Sequence, residues 1–400
     1  MIRSVFRYLI NFLYLLISPG ITHLIRDKWS FYFSKKFRNS NISPSEQKRQ
    51  LKDACEWLQK SINPSAHGFR TYYYLNGWTS SYPETTGYII PTLLRYAQYS
   101  GEDKWIQICK DAGNWLVDIQ KESGGWQSGY VDEDKNEVVF NTGQVIRGLY
   151  ALYKNTGEEK YIQSSIRACD WLCKTQDKKG FWKKNAFMQA ERVYDSYVDH
   201  PLLVLHLETG IERYKHTAIR NLNWILTQQK ENGWFANCDN TTKHNSRPIL
   251  HTIAYTIDGL LQCGLILQED SYILAAKKPA DVLLSLFEKN GYLQGRYNEN
   301  WQPEQFMICT GMAQIAIVWH QLWCYTGDEK YKIASIKMNH QLCYIARHTT
   351  NPSKPYHGAL PGSFPLWGRY EPFGFPNWAT KYFADSQLNE LNAPPVFYQL

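Results

Sequence analysis

A spaced pattern of tryptophan, glutamine and glycine returns along this chain, and it constrains the fold more than any other feature. The pattern reads Trp-Leu-x3-Gln-x3-Gly-x-Trp at Trp115 and again at Trp171. A third copy at Trp224 has Ile for Leu and is one residue shorter, and a degenerate copy begins at Trp57. Apolar residues before each Gly recur at helical spacing, so each copy predicts an amphipathic helix that ends at a glycine.

A second marker gives the same period. Short turns rich in Gly and acidic residues precede an aromatic residue at Trp105, Tyr161, Tyr214, Tyr272 and Tyr331, and the turn before Tyr272 is a weakened version without glycine. A period of roughly 50 to 60 residues indicates one supersecondary unit repeated around a continuous core. Because the apolar spacing is that of helices and not of strands, the unit is two helices.

The repeat predicts an all-α fold, an (α/α)6 toroid over residues 45–400, preceded by an N-terminal apolar and basic arm over 1–44. Helices with a one-sided apolar stripe alternate with helices that are apolar nearly all round, as two concentric rings require. The outer helices are expected near 45–62, 103–121, 159–176, 212–229, 270–287 and 329–347. The inner helices are expected near 84–99, 141–155, 194–209, 250–267, 306–325 and 376–390.

The positive charge of the chain is concentrated in the arm. Residues 1–40 hold seven Lys or Arg and one Asp, a net charge of +6, out of +7 for all 400 residues. The nearly neutral remainder argues against a nucleic-acid partner. The apolar run at 8–17 is too short to span a bilayer. Three interpretations stay open: a helix in the membrane interface, a helix packed on the toroid, and a signal peptide or anchor.

The nine cysteines lack paired spacing and form no zinc-like cluster with histidine. They are therefore expected to be reduced thiols, and we predict no metal and no cofactor. The sequence does not predict the oligomeric state.

Loop lengths indicate where a site would lie. Inner-to-outer turns are about three residues, whereas the outer-to-inner loops at 122–140, 177–193, 230–249, 288–305 and 348–375 are long. Long loops in a compact domain are usually functional. They all emerge at the N-termini of the inner helices, where backbone N–H groups also point outward. We therefore expect the functional cavity on this face.

The same face is predicted to gather polar side chains that packing does not need. Each one alone is explained by helix capping, but the set comes from four consecutive repeats and suits acid/base chemistry. The candidate catalytic residues are Glu84, Asp195, Asp199, His200, His251 and Tyr255. The candidate substrate-binding residues are Trp78, Tyr82, Asn141, Gln144, Arg147, Tyr194, Asp258, Arg296, Trp301, His357, Trp367 and Arg369.

Two resemblances follow from these motifs. The Trp-Leu-x3-Gln-x3-Gly-x-Trp repeat resembles that of terpene and squalene cyclases, but their catalytic Asp-x-Asp-Asp run is absent. The segments Tyr-Pro-Glu-Thr-Thr-Gly-Tyr at 82–88 and Phe-Asn-Thr-Gly-Gln at 140–144 resemble the VpsJ-like exopolysaccharide-biosynthesis proteins. That likeness covers roughly 45–390 and implies a six-hairpin toroid similar to unsaturated-uronyl hydrolases and sugar 2-epimerases, with a carbohydrate ligand and acid/base chemistry.

The sequence thus predicts a carbohydrate-active protein of bacterial cell-surface polysaccharide biosynthesis. Its expected partner is a sugar or lipid-linked glycan, acted on as a hydrolase, lyase or epimerase. A non-catalytic glycan-binding or scaffold protein is the first alternative, and a terpenoid or prenyl enzyme is the second. We expect a cytoplasmic protein, held peripherally on the inner face of the membrane through residues 1–40.

Overall fold

The computed structural model describes residues 9, 10, 13, 35–74, 77–304, 306–347 and 352–392. Twelve long helices run through these residues, and they confirm the predicted six outer and six inner helices. In chain order they are α1 (Pro44–Lys60), α2 (Pro83–Ser100), α3 (Lys104–Asp118), α4 (Val139–Thr156), α5 (Glu159–Thr175), α6 (Ser196–Thr209), α7 (Glu212–Leu226), α8 (Leu250–Leu267), α9 (Asp270–Asn290), α10 (Cys309–Thr326), α11 (Glu329–Arg347) and α12 (Asn377–Glu390).

The even-numbered helices form the inner ring and the odd-numbered helices the outer ring. Each inner helix packs on the next inner helix, and α12 packs on α2, so the ring is closed. Every inner helix also pairs with the outer helix that follows it, except that α12 pairs with α1. The two ends of the toroid domain therefore complete the sixth hairpin together, and the core lies between and within the rings.

The repeated glutamine joins neighbouring hairpins. In the first full copy, Nε2 of Gln120 donates to the carbonyls of Gly124 and Ser164 at 2.7 and 2.9 Å. In the second copy, Gln176 donates in the same way to Gly180 and Thr217 at 2.7 and 2.8 Å. One carbonyl of each pair belongs to the loop after the helix and the other to the next outer helix. The glutamine thus pairs the loop carbonyl and adds a hydrogen bond to a carbonyl of the neighbouring outer helix, which joins the two repeats.

The tryptophan that ends each motif has a packing role. The indole N–H of Trp126 donates to the carbonyl of Leu116 at 2.8 Å, and Trp182 contacts Leu172 equivalently at 3.0 Å. Both rings are completely buried. These two tryptophans therefore fix the loop of their repeat to the helix that precedes it.

The tryptophans that begin the motif are not equally buried, and the third copy is the exception. Trp115 and Trp171 are 8% and 5% exposed, whereas Trp224 is half-buried. Trp171 packs on the backbone of Gly125, and the equivalent position before Trp224 is Phe181. The phenyl ring occupies the space that a glycine leaves open, with the two ring centroids 5.1 Å apart, so Trp224 stays partly outside.

The turns between inner and outer helices behave as the Thr-Gly pattern predicts. Gly101, Gly157, Gly210 and Gly327 end α2, α4, α6 and α10 with φ between 71° and 73°, a left-handed conformation that glycine adopts at little cost. Gln268 takes this position after α8 with φ 54°, which matches the weakened turn read in the sequence.

The long loops lie on the opposite face, at the N-termini of the inner helices. They carry two small antiparallel sheets, with strand orders β2-β1-β5 and β3-β4. The strands are β1 (Tyr72–Tyr74), β2 (Gly77–Trp78), β3 (Met307–Ile308), β4 (Ser363–Phe364) and β5 (Gly374–Pro376). Because β1 pairs with β5, the first and last of these loops are tied together beside the ring opening.

All nine cysteines are free thiols, seven of them buried, as the scattered spacing predicted. Helix α8 is long and apolar enough to cross a membrane among the described residues, but 83% of it is buried inside the toroid. Most of the predicted arm, and with it the apolar run at 8–17 apart from residues 9, 10 and 13, lies outside the described residues. In the C-terminal part of the arm, Phe37 and Ile42 are buried in the toroid core.

Candidate functional site

A cavity of about 570 Å³ opens on the loop face. Its wall is built from the starts of inner helices α2, α4, α8 and α12, from the turn before α6 and from the long loops. This is the face on which the loop lengths placed the site. Of the predicted residues, the cavity brings together Glu84, Tyr82, Asn141, Tyr194, His251, Tyr255, Arg296 and Arg369.

Among the carboxyl groups near the starts of the described inner helices, that of Glu84 reaches the cavity. It lies in the first turn of α2, where Pro83 fits the beginning of a helix. Burial raises its pKa to about 7, and a hydrogen bond from Tyr82 partly offsets this shift. The Tyr82 hydroxyl in turn accepts from Asn141 Nδ2 at 3.2 Å. Since Asn141 is also held by the Gln127 carbonyl at 2.9 Å, the chain Asn141–Tyr82–Glu84 fixes the carboxyl in place.

His251 lies on the same wall, in the first turn of α8. Burial lowers its pKa to about 4, so the imidazole is neutral at physiological pH. Nδ1 lies 2.7 Å from Oε1 of Gln314 on α10. The ring centroid is 4.5 Å from that of Tyr255, and the ring is parallel to the indole of Trp378 at 6.5 Å. The histidine is therefore held on several sides and its other nitrogen is available for chemistry.

Tyr255 forms part of an aromatic floor. Its ring packs against Phe140 and Tyr197 at centroid distances of 5.0 and 4.7 Å, and its hydroxyl accepts from Tyr382 at 3.2 Å. Burial raises the pKa of Tyr255 well above the ordinary value. The hydroxyl is therefore neutral at physiological pH and suits hydrogen bonding and ring contact with a ligand.

Arg296 stands on the cavity wall in a fixed position. Its Nη1 contacts Oδ1 of the buried Asp239 at 3.1 Å and the Arg247 carbonyl at 2.7 Å, and Nη2 donates to Thr241 Oγ1 at 2.9 Å. Asp239 also accepts the backbone N–H groups of Thr241 at 2.8 Å and Ile249 at 3.3 Å. One buried carboxylate thus organises the whole loop before α8. Arg369 is the exposed cation among the predicted residues that line the cavity.

Asp195, Asp199 and His200 do not line the cavity; the structure places them deeper between the helices. Their side chains are 2%, 0% and 0% exposed. Burial raises the pKa of Asp195 to about 8 and that of Asp199 well above its ordinary range, while Asn221 Nδ2 donates to Asp199 at 2.7 Å. Asp195, Asp199 and His200 follow Tyr194 in the sequence, and Tyr194 reaches the cavity. Their own side chains, however, turn into the core.

Gln144, Arg147 and Asp258 also point into the ring interior below the cavity. Arg147 donates to the Tyr197 carbonyl at 2.7 Å and stacks over the Tyr197 ring at 3.8 Å. Gln262 donates to Asp258 at 2.6 Å, and Gln144 contacts the Phe140 carbonyl at 3.4 Å. The prediction that they reach the mouth was wrong, because Gln144 and Asp258 lie about one turn, and Arg147 almost two turns, beyond the last cavity-lining residue of their helices.

The loop aromatics predicted as ligand contacts have packing partners and do not line the cavity. Trp78 packs against Trp57 and Tyr73 at 5.1 and 5.2 Å. The Trp301 indole donates to the Asn232 carbonyl at 3.1 Å. His357 lies 3.6 Å from Asp53, and Trp367 is half-buried against the core. Residues that break a repeat can therefore serve irregular loops as well as ligands.

Several cavity residues were missed by the sequence analysis. They are Thr71, Tyr72, Gly129, Tyr130, Glu133, Lys135, Phe140, Phe187, Met188, Asn240, Thr241, Tyr370, Glu371 and Trp378. Nearly all lie in the long loops, where no periodicity indicates which side chains turn inward. The hydroxyls of Tyr72 and Tyr74 donate to Glu371 at 3.1 and 3.2 Å, an arrangement set by the β1–β5 pairing that sequence alone does not reveal.

The fold is shared with carbohydrate-active enzymes. The chain superposes on an unsaturated glucuronyl hydrolase from a Bacillus species, responsible for the degradation of glycosaminoglycan, with a TM-score of 0.67 and 12% identity over 86% of this chain and 96% of the other. A heparin-specific unsaturated glucuronyl hydrolase gives 0.68 and 13% over 88% and 100%. Cellobiose 2-epimerase from Bacillus thermoamylovorans gives 0.69 and 10% over 87% and 98%.

These similarities establish the (α/α)6 toroid, which is the fold that the repeat predicted. Neither a protein-family model nor a curated protein matches the chain. The resemblance to VpsJ-like proteins therefore remains a prediction. At 10–13% identity the neighbours show the fold alone, so the chemistry has to be argued from the cavity.

Proposed function

We propose that this protein is an acid/base enzyme that acts on a sugar or glycan in bacterial cell-surface polysaccharide biosynthesis. The observation that carries the proposal is Glu84, a carboxyl group held by Tyr82 on the cavity wall with its pKa raised to about 7. A group with this pKa is partly protonated at neutral pH and exchanges a proton with a substrate at little cost.

The residues around Glu84 give the site two different proton carriers. Glu84 supplies the acid, and the neutral imidazole of His251, with a pKa lowered to about 4, supplies a basic nitrogen. Acid/base active sites usually hold two titratable groups whose environments push their pKa values apart, so that one acts as acid and the other as base. Proton transfer of this kind serves hydrolysis, lyase chemistry and epimerisation alike, and the fold neighbours include hydrolases and epimerases of sugars.

The remaining wall suits a carbohydrate better than a hydrocarbon. Aromatic faces from Tyr255 and Trp378 lie beside charged groups at Arg296, Arg369 and Glu371. Sugar rings offer apolar faces and a hydroxyl rim, so both kinds of surface find partners. A terpenoid substrate would displace water from these charged groups and offer them no hydrogen bonds in return, which is costly.

Replacing Glu84 by Gln in the source bacterium tests the proposal. The change keeps the shape and removes the acid, so turnover by the purified protein is expected to fall about 10²–10⁴-fold while the melting temperature is not lowered. Glu288→Gln, the same change on the exposed side of α9, is the matched control. The readouts are the surface polysaccharide of the cells, affinity for its fragments and the melting temperature.

Three outcomes separate the alternatives. Lost polysaccharide with retained fragment binding supports the enzyme. Weakened binding without turnover in either protein identifies a glycan-binding or scaffold protein. Normal polysaccharide in the Glu84→Gln strain overturns the assignment of the site. Asp195→Asn, made in parallel, is expected to change stability more than turnover, because Asp195 does not reach the cavity.

We further propose that the protein works at the cytoplasmic face of the membrane. The support is the net charge of +6 on residues 1–40 next to an apolar run, which suits an anionic lipid surface. A lipid-linked glycan would then be presented to the protein at that surface.

A further inference from the structure

A second, smaller cavity of about 280 Å³ lies directly beside the first. It is lined by the loop before α4 and the loop before α6, and polar residues alternate with apolar ones in its lining. The polar residues include Asn136, Glu137, Lys184, Asn185 and Gln189. No residue of this cavity belongs to the predicted catalytic set, so its composition is not explained by the site described above.

Phe187 and Met188 line both cavities. Their side chains are 38% and 42% exposed, which places them among the few large apolar side chains that the described residues leave open to solvent. They lie between the two cavities, each of which has polar side chains in its lining, and not on a flat surface. An exposed aromatic residue rimmed by polar groups is typical of a ligand-binding surface.

The loop that carries Phe187 is held rigidly. Lys183 Nζ contacts Glu191 Oε1 at 2.8 Å and closes the base of the loop. The Asn185 carbonyl accepts the N–H of Val139 at 2.9 Å, which ties the loop to the start of α4. Met188 and Gln189 have φ of 59° and 52°, a conformation that costs a non-glycine residue energy and tends to persist at functional sites. The phenyl ring is thus presented in a defined position.

We propose that the second cavity is a binding subsite for a second sugar unit, so that the ligand is a glycan chain and not a single sugar. One unit occupies the main cavity at Glu84, the chain crosses Phe187 and Met188, and the next unit lies in the second cavity. The amide groups of Asn136 and Asn185 and the ammonium group of Lys184 supply donors for hydroxyl or acidic groups. This inference rests on the proposed function, because the chain is oriented by the main cavity.

The probes are mono-, di-, tri- and tetrasaccharide fractions from mild acid hydrolysis of the source bacterium's own surface polysaccharide. Affinities for wild-type protein and for Phe187→Ala are measured by titration calorimetry. Tyr325→Ala is the matched control, since Tyr325 is another exposed aromatic residue, 46% exposed, that lines neither cavity. Phe187→Tyr keeps the aromatic face and serves as the conservative variant.

The wild-type protein is expected to bind the disaccharide at least about tenfold more tightly than the monosaccharide, since one good aromatic contact with its neighbours is worth about that factor. Phe187→Ala should bring the ratio of disaccharide to monosaccharide affinity down toward one, with a smaller loss of monosaccharide affinity because Phe187 also lines the main cavity, and Phe187→Tyr should restore the ratio. Fragments that bind with the same affinity at every length overturn the subsite but leave the proposed function standing. Absence of binding by every fraction overturns both.

Discussion

Nδ1 of His251 lies 2.7 Å from Oε1 of Gln314, and this contact determines where the imidazole carries its proton. With the amide oxygen of Gln314 turned toward the ring, Nδ1 is the protonated nitrogen, because an amide oxygen accepts hydrogen bonds and does not donate them. The lone pair is then on Nε2. Gln314 comes from α10, which like α6 contributes no lining residue to the cavity within the described part of the chain. It acts on the site through His251 and is a positioning residue.

The first prediction follows from this contact. In Gln314→Leu the preference for the Nδ1-H tautomer should be lost, and turnover should fall by roughly tenfold since wrong orientation weakens proton transfer. The ¹⁵N chemical shifts of the His251 ring report the tautomer directly. Gln321→Leu is the control, because Gln321 is a buried glutamine of the same helix that contacts Asp258. A wild-type protein protonated mainly at Nε2 would show that the assignment is wrong.

The second prediction concerns the pH dependence of stability. The folded-state pKa of Glu84 is about 7, above the ordinary value of 4.5. The folded state therefore holds this proton more tightly than the unfolded chain, and stability contributed by Glu84 falls as pH rises from about 4.5 to 7. Glu84→Gln should be more stable than wild type above pH 7, by roughly 1–3 kcal/mol, and equal to it near pH 4.

Urea unfolding at pH 4 and at pH 8 measures this difference. Comparison with Glu288→Gln removes any general effect of losing one negative charge. Buried Asp195 and Asp199 also have raised pKa values, but they are present in both proteins and cancel in the comparison. If the difference in stability between Glu84→Gln and wild type is the same at pH 8 as at pH 4, the ionised carboxyl group is not destabilised by burial.

The fold was predictable because its information is periodic. Trp115 and Trp171 mark equivalent points in the repeat, and their spacing alone gives the hairpin length and the alternation of outer and inner helices. Loop asymmetry then indicates the face of the site, since only one face has room for long connections. Glu84 and His251 were found because they are polar groups in first turns of otherwise apolar helices, and Tyr255 follows His251 one turn later.

The rest of the site was not predictable for two physical reasons. Position along a helix decides depth, so Arg147 and Asp258, one to two turns below the cavity-lining residues, turn into the core. The loop residue Glu371 reaches the cavity where it accepts hydrogen bonds from Tyr72 and Tyr74, and contacts between loops so far apart in the chain leave no periodic mark in the sequence.

The third prediction tests the joint between repeats. Gln176→Leu removes the hydrogen bonds to the carbonyls of Gly180 and Thr217 and leaves the loop carbonyl of Gly180 without this donor. The loss of stability is expected to be roughly 1–3 kcal/mol, the cost of a polar group left without its partner. Gln107→Leu, a change in an exposed glutamine of α3, should alter stability by less than about 0.5 kcal/mol. Equal effects of the two changes would show that the repeated glutamine does not join the hairpins.

The last prediction concerns the N-terminal arm. Phe37 is 1% exposed and contacts Tyr344 of α11 at 6.0 Å between ring centroids, so a deletion has to stop before it. Removal of residues 1–34 is expected to release the protein from membranes while the melting temperature stays near that of wild type. Attachment of the intact protein should weaken in 1 M salt, where the Debye length shrinks to about 3 Å.

Phe37→Ala in the full chain is the companion variant for that deletion. It should cost about 3–5 kcal/mol by leaving a core cavity, yet keep the protein on the membrane, because the basic arm is intact. Sedimentation with vesicles of anionic and of neutral lipids separates the two effects. Binding that survives both the deletion and high salt would place the membrane contact on the toroid, and equal binding to both vesicle types would exclude an electrostatic arm.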